Sequence, residues 1–387
     1  MGCLALLIVG WTGLLVPALI RSIKETYDQT DAGIGLVFFL YSIAYAAGSL
    51  GGGPVTERLG RRTVLVAAAL LHGSGIMALG LAGTWGLFVL AMLPAGLGAG
   101  SIDGGSNGLF LDLFREGRGR AMNLLHLSFS IGALSAPLVI GTLVVAGVPW
   151  QAIVVGSGLA LVPLAVGFAL VPMPTGHRER DAGAVTDHPP TAPVSPSNGR
   201  LLTVPLILLG LAIACYVASE VGVSNWLVRF LEPAPLSTAT LALSLFWAGL
   251  AVGRLISSQI ADRFDHLAFT TACAIALAIA LAGAIIVPSL PVSIALFALS
   301  GLASGPIFPM IIAIGGERFP DRSAAVGGML TGLGVVGGTI YPPLMGVLSV
   351  TVGLWIAMFG NVLLAVACAL FLLAVARSGR PASLSRS

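Results

Sequence analysis

Apolar runs of about 20 residues, the length needed to cross ~30 Å of hydrocarbon at 1.5 Å per helical residue, recur all along this chain. They lie at roughly 3–22, 33–53, 63–82, 86–112, 121–146 and 150–171, then at roughly 201–230, 237–261, 268–287, 290–316, 324–349 and 353–376. Numbered in order, these are spans 1 to 12. With 57% hydrophobic and only 9% charged residues, the chain has too little polar surface for a water-soluble globule. The expected fold is an all-α membrane protein with twelve transmembrane helices.

The second six runs copy the first. A shift of 205 residues lays Glu57-Arg58 on Asp262-Arg263, Gly96 and Gly100 on Gly301 and Gly305, Phe114 on Phe319, Pro137 on Pro342, Gly141 on Gly346 and Trp150 on Trp355. The chain therefore divides into an N-terminal six-helix bundle at 1–171, a Pro-rich linker at 172–200, a C-terminal bundle at 201–376 and a tail at 377–387. A parallel repeat in so apolar a chain is a signature of secondary transporters, whose substrate sits between the halves. Span 1 lacks the basic start and small-x-small site of a signal peptide, and the repeat pairs it with span 7.

Of the 19 Lys and Arg, only Arg21, Lys24 and Arg229 fall on one side of this layout; the rest fall on the other, with both termini and the linker. By the positive-inside rule that basic side is cytoplasmic, in the plasma membrane of a prokaryotic-type cell. It is a topology signal, and no domain exists to carry nucleic-acid binding. Cys3, Cys215, Cys273 and Cys368 stand singly inside spans, with no metal-ligand spacing. No cofactor motif is present.

Between spans 2 and 3 stands Gly53-Pro-Val-Thr-Glu57-Arg58-Leu-Gly60-Arg61-Arg62. It resembles the G-x-x-x-D-R-x-G-R-R loop of the major facilitator superfamily, with Glu57 for the usual aspartate. Its second copy keeps the acid and arginine as Asp262-Arg263. Such a carboxylate can sit at a helix N-terminus across the bundle interface while arginines pair with acids and lipid phosphates, so these residues read as a gate. The resemblance implies a monomer working by alternating access, with spans 1, 4, 7 and 10 lining a central cavity.

Two carboxylates lie deep inside spans, Asp103 in span 4 and Glu220 in span 7. A buried acid costs several kcal/mol unless paired or protonated, so within a membrane it marks a functional site by default. Arg254 sits near the basic end of span 8, so neither acid has an evident buried cationic partner. That suits proton carriers. Asn107, four residues on, shares Asp103's helix face, and His126 of span 5 lies at comparable depth, where it can hold or relay a proton. On span 7 Tyr216 and Glu220 are again four apart, with Asn225 and Trp226 toward the far end. Trp11, Tyr216, Trp226, Trp247, Phe308 and Tyr341 are aromatic residues able to stack on a sugar ring or hold a hydrophobic drug. Each also reads singly as a core or belt residue.

The stretch Gly98-Ala-Gly-Ser-Ile-Asp103-Gly-Gly-Ser-Asn107, with Asn123-Leu-Leu-His126, Tyr216-Val-Ala-Ser-Glu220 and Gly305-Pro-Ile-Phe-Pro309, resembles the fucose:proton symporter family and its sodium-dependent glucose transporter relatives. That resemblance implies a role in recognition and coupling for Asp103. The family's span 1 aspartate is missing here, and Glu220 is the residue to replace it. The expected function is symport of a small neutral solute such as a sugar with protons, with sodium as the alternative ion. Gly132-x-x-x-Ala136-Pro137-x-x-x-Gly141 also resembles the antiporter motif of drug exporters, which leaves proton-coupled export of hydrophobic compounds as the second reading. Either is transport, not enzyme catalysis.

Overall fold

The computed structural model describes residues 1–114, 118–173 and 203–378. Among them are 12 helices long and apolar enough to cross a membrane: Gly2–Tyr27, Asp31–Gly52, Arg61–Leu81, Trp85–Phe110, Leu124–Val145, Trp150–Leu170, Val204–Phe230, Leu236–Ile260, His266–Ile286, Leu290–Arg318, Val326–Thr351 and Leu354–Ser378. These are the twelve expected spans, most displaced by only a few residues. Nearly all of the linker and tail lies outside the described residues. Of Gly53, Glu57 and Asp262 only the backbone is described.

Local chemistry sets the ends and the breaks. Thr30, Thr84 and Asp265 cap spans 2, 4 and 9 by accepting from Gly33, Leu87 and Ala268 N–H groups, as short oxygen side chains do at helix N-termini. Gly60 turns the chain from span 2 into span 3 at φ 81°, a conformation that disfavours any residue with a Cβ. Span 1 breaks at Leu14 into Gly2–Gly13 and Leu15–Tyr27. Pro17 has no N–H for the Gly13 carbonyl, and its ring crowds that carbonyl. Span 6 breaks at Ala160 ahead of Pro163, and span 10 at Gly305-Pro306, between Leu290–Ser304 and Ile307–Arg318. Pro94, Pro137, Pro342 and Pro343 are carried inside continuous helices.

The repeat is visible in the packing itself. Gly96 and Gly100 of span 4 lie on the Tyr41 and Tyr45 carbonyls of span 2; Gly301 and Gly305 of span 10 lie on the Phe246 and Leu250 carbonyls of span 8. Each contact is carried into its twin by the sequence offset. With no driving force from water, membrane helices associate through such close backbone approach.

The halves meet along three seams: span 2 on span 11, span 5 on span 8, and the far half of span 1 on span 7. The first two seams are again twins, since Gly346 abuts Gly35 while Gly141 abuts Thr240. The near half of span 1 packs instead within its own bundle, on spans 4, 5 and 6. The face that holds Arg58, Arg61 and Arg62 is called the basic face below, and the opposite one the far face. At the basic face Arg62 donates to the Val171 carbonyl at the end of span 6, 3.2 Å away.

Candidate functional site: a central cavity between the halves

The breaks and seams leave a cavity of about 290 Å³ between the bundles, near the lower bound for small-molecule sites. Its wall is built from the broken middle of span 1 (Gly13 to Pro17), from Val37, Phe38, Tyr41, Ser42 and Tyr45 of span 2, from Val217, Glu220, Val221, Ser224 and Asn225 of span 7, and from Val335, Gly338 and Thr339 of span 11. Span 4 contributes Met92, and no residue of span 10 is in the lining. This differs from the expected set of spans 1, 4, 7 and 10. Spans 4 and 10 carry the glycines that draw spans 2 and 8 over them, so span 2 stands between span 4 and the cavity.

Of the residues singled out in the sequence, Glu220, Asn225 and Trp247 line the cavity. Trp247 donates through Nε1 to Ser224 Oγ at 3.0 Å and packs on Phe129 with ring centroids 5.9 Å apart. It thereby joins span 8 to spans 7 and 5. The other aromatics lie outside the lining and hold helices together. Trp11 Nε1 donates to Ser157 of span 6, Trp226 Nε1 to the Pro342 carbonyl of span 11, and Tyr341 Oη to the Ala357 carbonyl of span 12. Tyr216 donates to the Ser304 carbonyl, at the last helical residue before the break in span 10. Phe308 follows that break and packs on the main core.

Asp103 lies one layer behind the wall. One of its oxygens accepts from Tyr45 Oη at 2.8 Å and the other from Asn107 Nδ2 at 3.1 Å. His126 is within electrostatic reach of Asp103, so the three residues form one cluster, joined to the cavity by Tyr45. The expectation that the acids have no cationic partner is qualified for Glu220. Arg254 acts electrostatically on Glu220 of its own half and on His126 of the other, and its guanidinium points to Ser130 Oγ of span 5, 3.4 Å away. A guanidinium on a long stem acts well above the level of its own backbone, which a count of residues from the helix end overlooks.

Sequence reading missed three groups. Tyr41 and Tyr45 of span 2 face the cavity. His72 is fully buried, its Nδ1 2.7 Å from the Ala95 carbonyl and its Nε2 2.8 Å from Thr12 Oγ1. A carbonyl only accepts, so Nδ1 donates, and in the neutral ring Nε2 accepts from Thr12, a lining residue. Asp31 is the third. Its 4% exposed carboxylate takes Lys24, Arg229 at 3.0 Å and Ser349 at 2.5 Å, tying spans 1, 7 and 11 to span 2 at the far face. Beside it Arg21 donates to the carbonyls of Val228, Leu231 and Ala234, where span 7 ends. These contacts join the two halves at the far face. An acid in the first turn after a threonine cap reads from sequence as a dipole-compensating residue only.

The Major Facilitator Superfamily model matches residues 1–289 and 234–387. The chain belongs to the major facilitator superfamily. Among solved structures of this superfamily's fold, a bacterial homolog of the human lysosomal transporter Spinster gives a TM-score of 0.77 at 14% identity, covering 97% of this chain and 96% of that one. The D-xylose-proton symporter gives 0.75 at 16%, covering 96% and 95%. The transporter FucP gives 0.65 at 16%, covering 97% of each chain. The glucose/galactose transporter of Brucella abortus is 32% identical over 163 residues, 39% of this chain and 38% of that protein. Sodium-dependent glucose transporter 1A of Mus musculus is 25% identical over 134 residues, 35% of this chain and 32% of that protein. The matched segments thus span about a third of the length of each of these two relatives. Bypass of stop codon protein 6 of Saccharomyces cerevisiae is 25% identical over 386 residues, covering 91% and 77%. As a superfamily member the protein is a multi-pass membrane transporter.

Proposed function

We propose that this transporter takes up a small neutral polyhydroxylated solute, such as a sugar, together with protons, and that its basic face is cytoplasmic. The observation that carries this reading is the chemistry of the cavity wall. It holds one carboxylate, Glu220, with hydroxyl and amide groups from Thr12, Tyr41, Ser42, Tyr45, Ser224, Asn225 and Thr339, and the described lining contains no Lys or Arg. Arg254 lies outside that lining, its guanidinium directed at Ser130. Phe38 and Trp247 supply flat apolar faces against which a sugar ring can lie. The names of the D-xylose-proton symporter and of the Brucella abortus glucose/galactose transporter support the same solute class.

In this reading Asp103, His126 and Glu220 carry the protons. Neutralising them together with solute binding favours closure around the site, and loss of the proton on the cytoplasmic side favours release. The test is uptake of D-glucose, D-galactose, L-fucose and D-xylose into proteoliposomes under an imposed proton gradient or, separately, a sodium gradient. Proton-driven accumulation of one sugar is expected. Asp103→Asn is expected to abolish that accumulation while leaving exchange of sugar down its gradient, and unchanged uphill uptake would remove Asp103 from coupling.

A second reading is favoured by the remainder of the wall. Val9, Leu14, Val16, Val37, Ile76, Leu79 and Met92 make much of the lining apolar, which suits a hydrophobic exported compound. No sugar uptake, combined with proton-driven extrusion of a lipophilic dye, would decide for it.

A further inference from the structure

Tyr45 stands where the cavity wall meets the half-buried acid cluster. It lines the cavity, and its hydroxyl lies 2.8 Å from Asp103 Oδ2, while Asp103 itself is not among the lining residues. The second Asp103 oxygen is occupied by Asn107. A solute in the cavity therefore meets Asp103 through a phenol.

A phenol has one proton to donate and lone pairs to accept with. While Asp103 is a carboxylate it can only accept, so the Tyr45 proton is committed to it and Tyr45 offers the cavity an acceptor. When a proton adds to Asp103 Oδ2, the carboxylic O–H donates to Tyr45 Oη, and the phenol proton is freed to donate to a solute oxygen. One proton enters and no other bond changes. We propose that Tyr45 translates the protonation state of Asp103 into the polarity of the cavity wall, and so sets which group a solute must present in each state. This makes Tyr45 a positioning and specificity residue, and it deepens the proton-symport reading on which it rests.

Other charged and titratable groups surround this link. Tyr41 lies beside Tyr45 on span 2 with ring centroids 6.2 Å apart and is itself within electrostatic reach of Asp103, though not hydrogen-bonded to it. His126 comes from span 5, Arg254 from span 8 and Glu220 from span 7, with Arg254 acting on both of the others. Titration of His126 or Glu220 would give a pH response of its own, so the test needs a variant that cuts only the Tyr45 contact. Tyr45→Phe does this, and Tyr41→Phe removes a phenol from the same wall as a control.

The experiment is equilibrium binding of D-glucose, D-galactose, L-fucose and D-xylose to the purified full chain at about pH 4 and about pH 7.5. For the sugar bound best, wild-type affinity should differ up to about tenfold between the two conditions, the upper end of the range for one neutral hydrogen bond. Tyr45→Phe should still bind with that difference lost, and Tyr41→Phe should keep it. A full pH response in Tyr45→Phe, none in the wild type, or its loss in Tyr41→Phe would overturn the proposal. Should Tyr45→Phe fail to fold, Asp103→Asn carries the same expectation of a flat response. If none of the four sugars binds the wild type, the sugar reading fails on its own, and the contact is read without ligand by infrared spectroscopy. The carboxylate band lost in Asp103→Asn should then shift in Tyr45→Phe; an unshifted band would overturn the link.

Discussion

Single residues here carry roles that their own helix does not reveal. Arg254 stands six residues from Ile260, about 9 Å below which the span ends at 1.5 Å per residue, and yet it acts on Glu220 and on His126 across the interface. Removing one of two interacting opposite charges within the membrane leaves the other less compensated. Arg254→Gln should therefore lower the melting temperature, and Arg254→Gln with Glu220→Gln should recover part of the loss; a double variant no better than the single would deny the pairing. The helix-face arithmetic that joined Asp103 to Asn107 corresponds to a real hydrogen bond, at 3.1 Å. Tyr45 was not legible, because nothing in the sequence of span 2 says that it stands between span 4 and the cavity. Asp31 was hidden differently: its partners Lys24, Arg229 and Ser349 are brought to it by three separate elements.

At the scale of elements, glycine and proline divide the labour. Gly100 and Gly305 let spans 4 and 10 seat on the backbones of spans 2 and 8, and a Cβ at either would meet main-chain atoms. Gly100→Ala and Gly305→Ala should each destabilise by about 1–3 kcal/mol, the usual range for overpacking, read as a lowered melting temperature. Gly51→Ala, whose added Cβ meets nothing within 4 Å, should change little. If all three behave alike, the packing account is wrong. These twin glycines were visible in the chain as a fixed offset, which is why the fold was so readable. The breaks were less so: Pro17, Pro163 and Pro306 interrupt their helices while Pro94 and Pro137 do not. Whether neighbouring helices absorb a missing N–H is a matter of packing. Pro17→Ala restores the donor to Gly13. Melting temperature should hold or rise while uptake falls at least about tenfold, as expected when an interior proline costing ~3 kcal/mol is kept for its function; undiminished uptake would show that the break is dispensable.

For the whole molecule, the far face is bridged by side chains from both halves. The Asp31 cluster and the Arg21 contacts to the end of span 7 are its fastenings. Asp31→Asn removes the charge that gathers Lys24 and Arg229. In Ser42→Cys, a thiol placed on the cavity wall, labelling by an impermeant maleimide from the far side should then rise severalfold over the same cysteine with Asp31 intact. No rise would mean that closure rests on the helix seams alone.

Span 1 is cut at Leu14, and its two pieces differ in what they touch: the near piece packs within the N-terminal bundle, while the far piece packs on spans 2, 5 and 6 of that bundle and also on span 7 of the other. When one bundle tilts against the other, this helix works as an elbow whose joint is itself part of the cavity wall. The binding site is then the axle of the machine as well as its cargo bay. A solute lodged against Gly13 and Leu14 senses each stroke as a change in the shape of its own seat, so recognition and movement are exerted on the same few atoms.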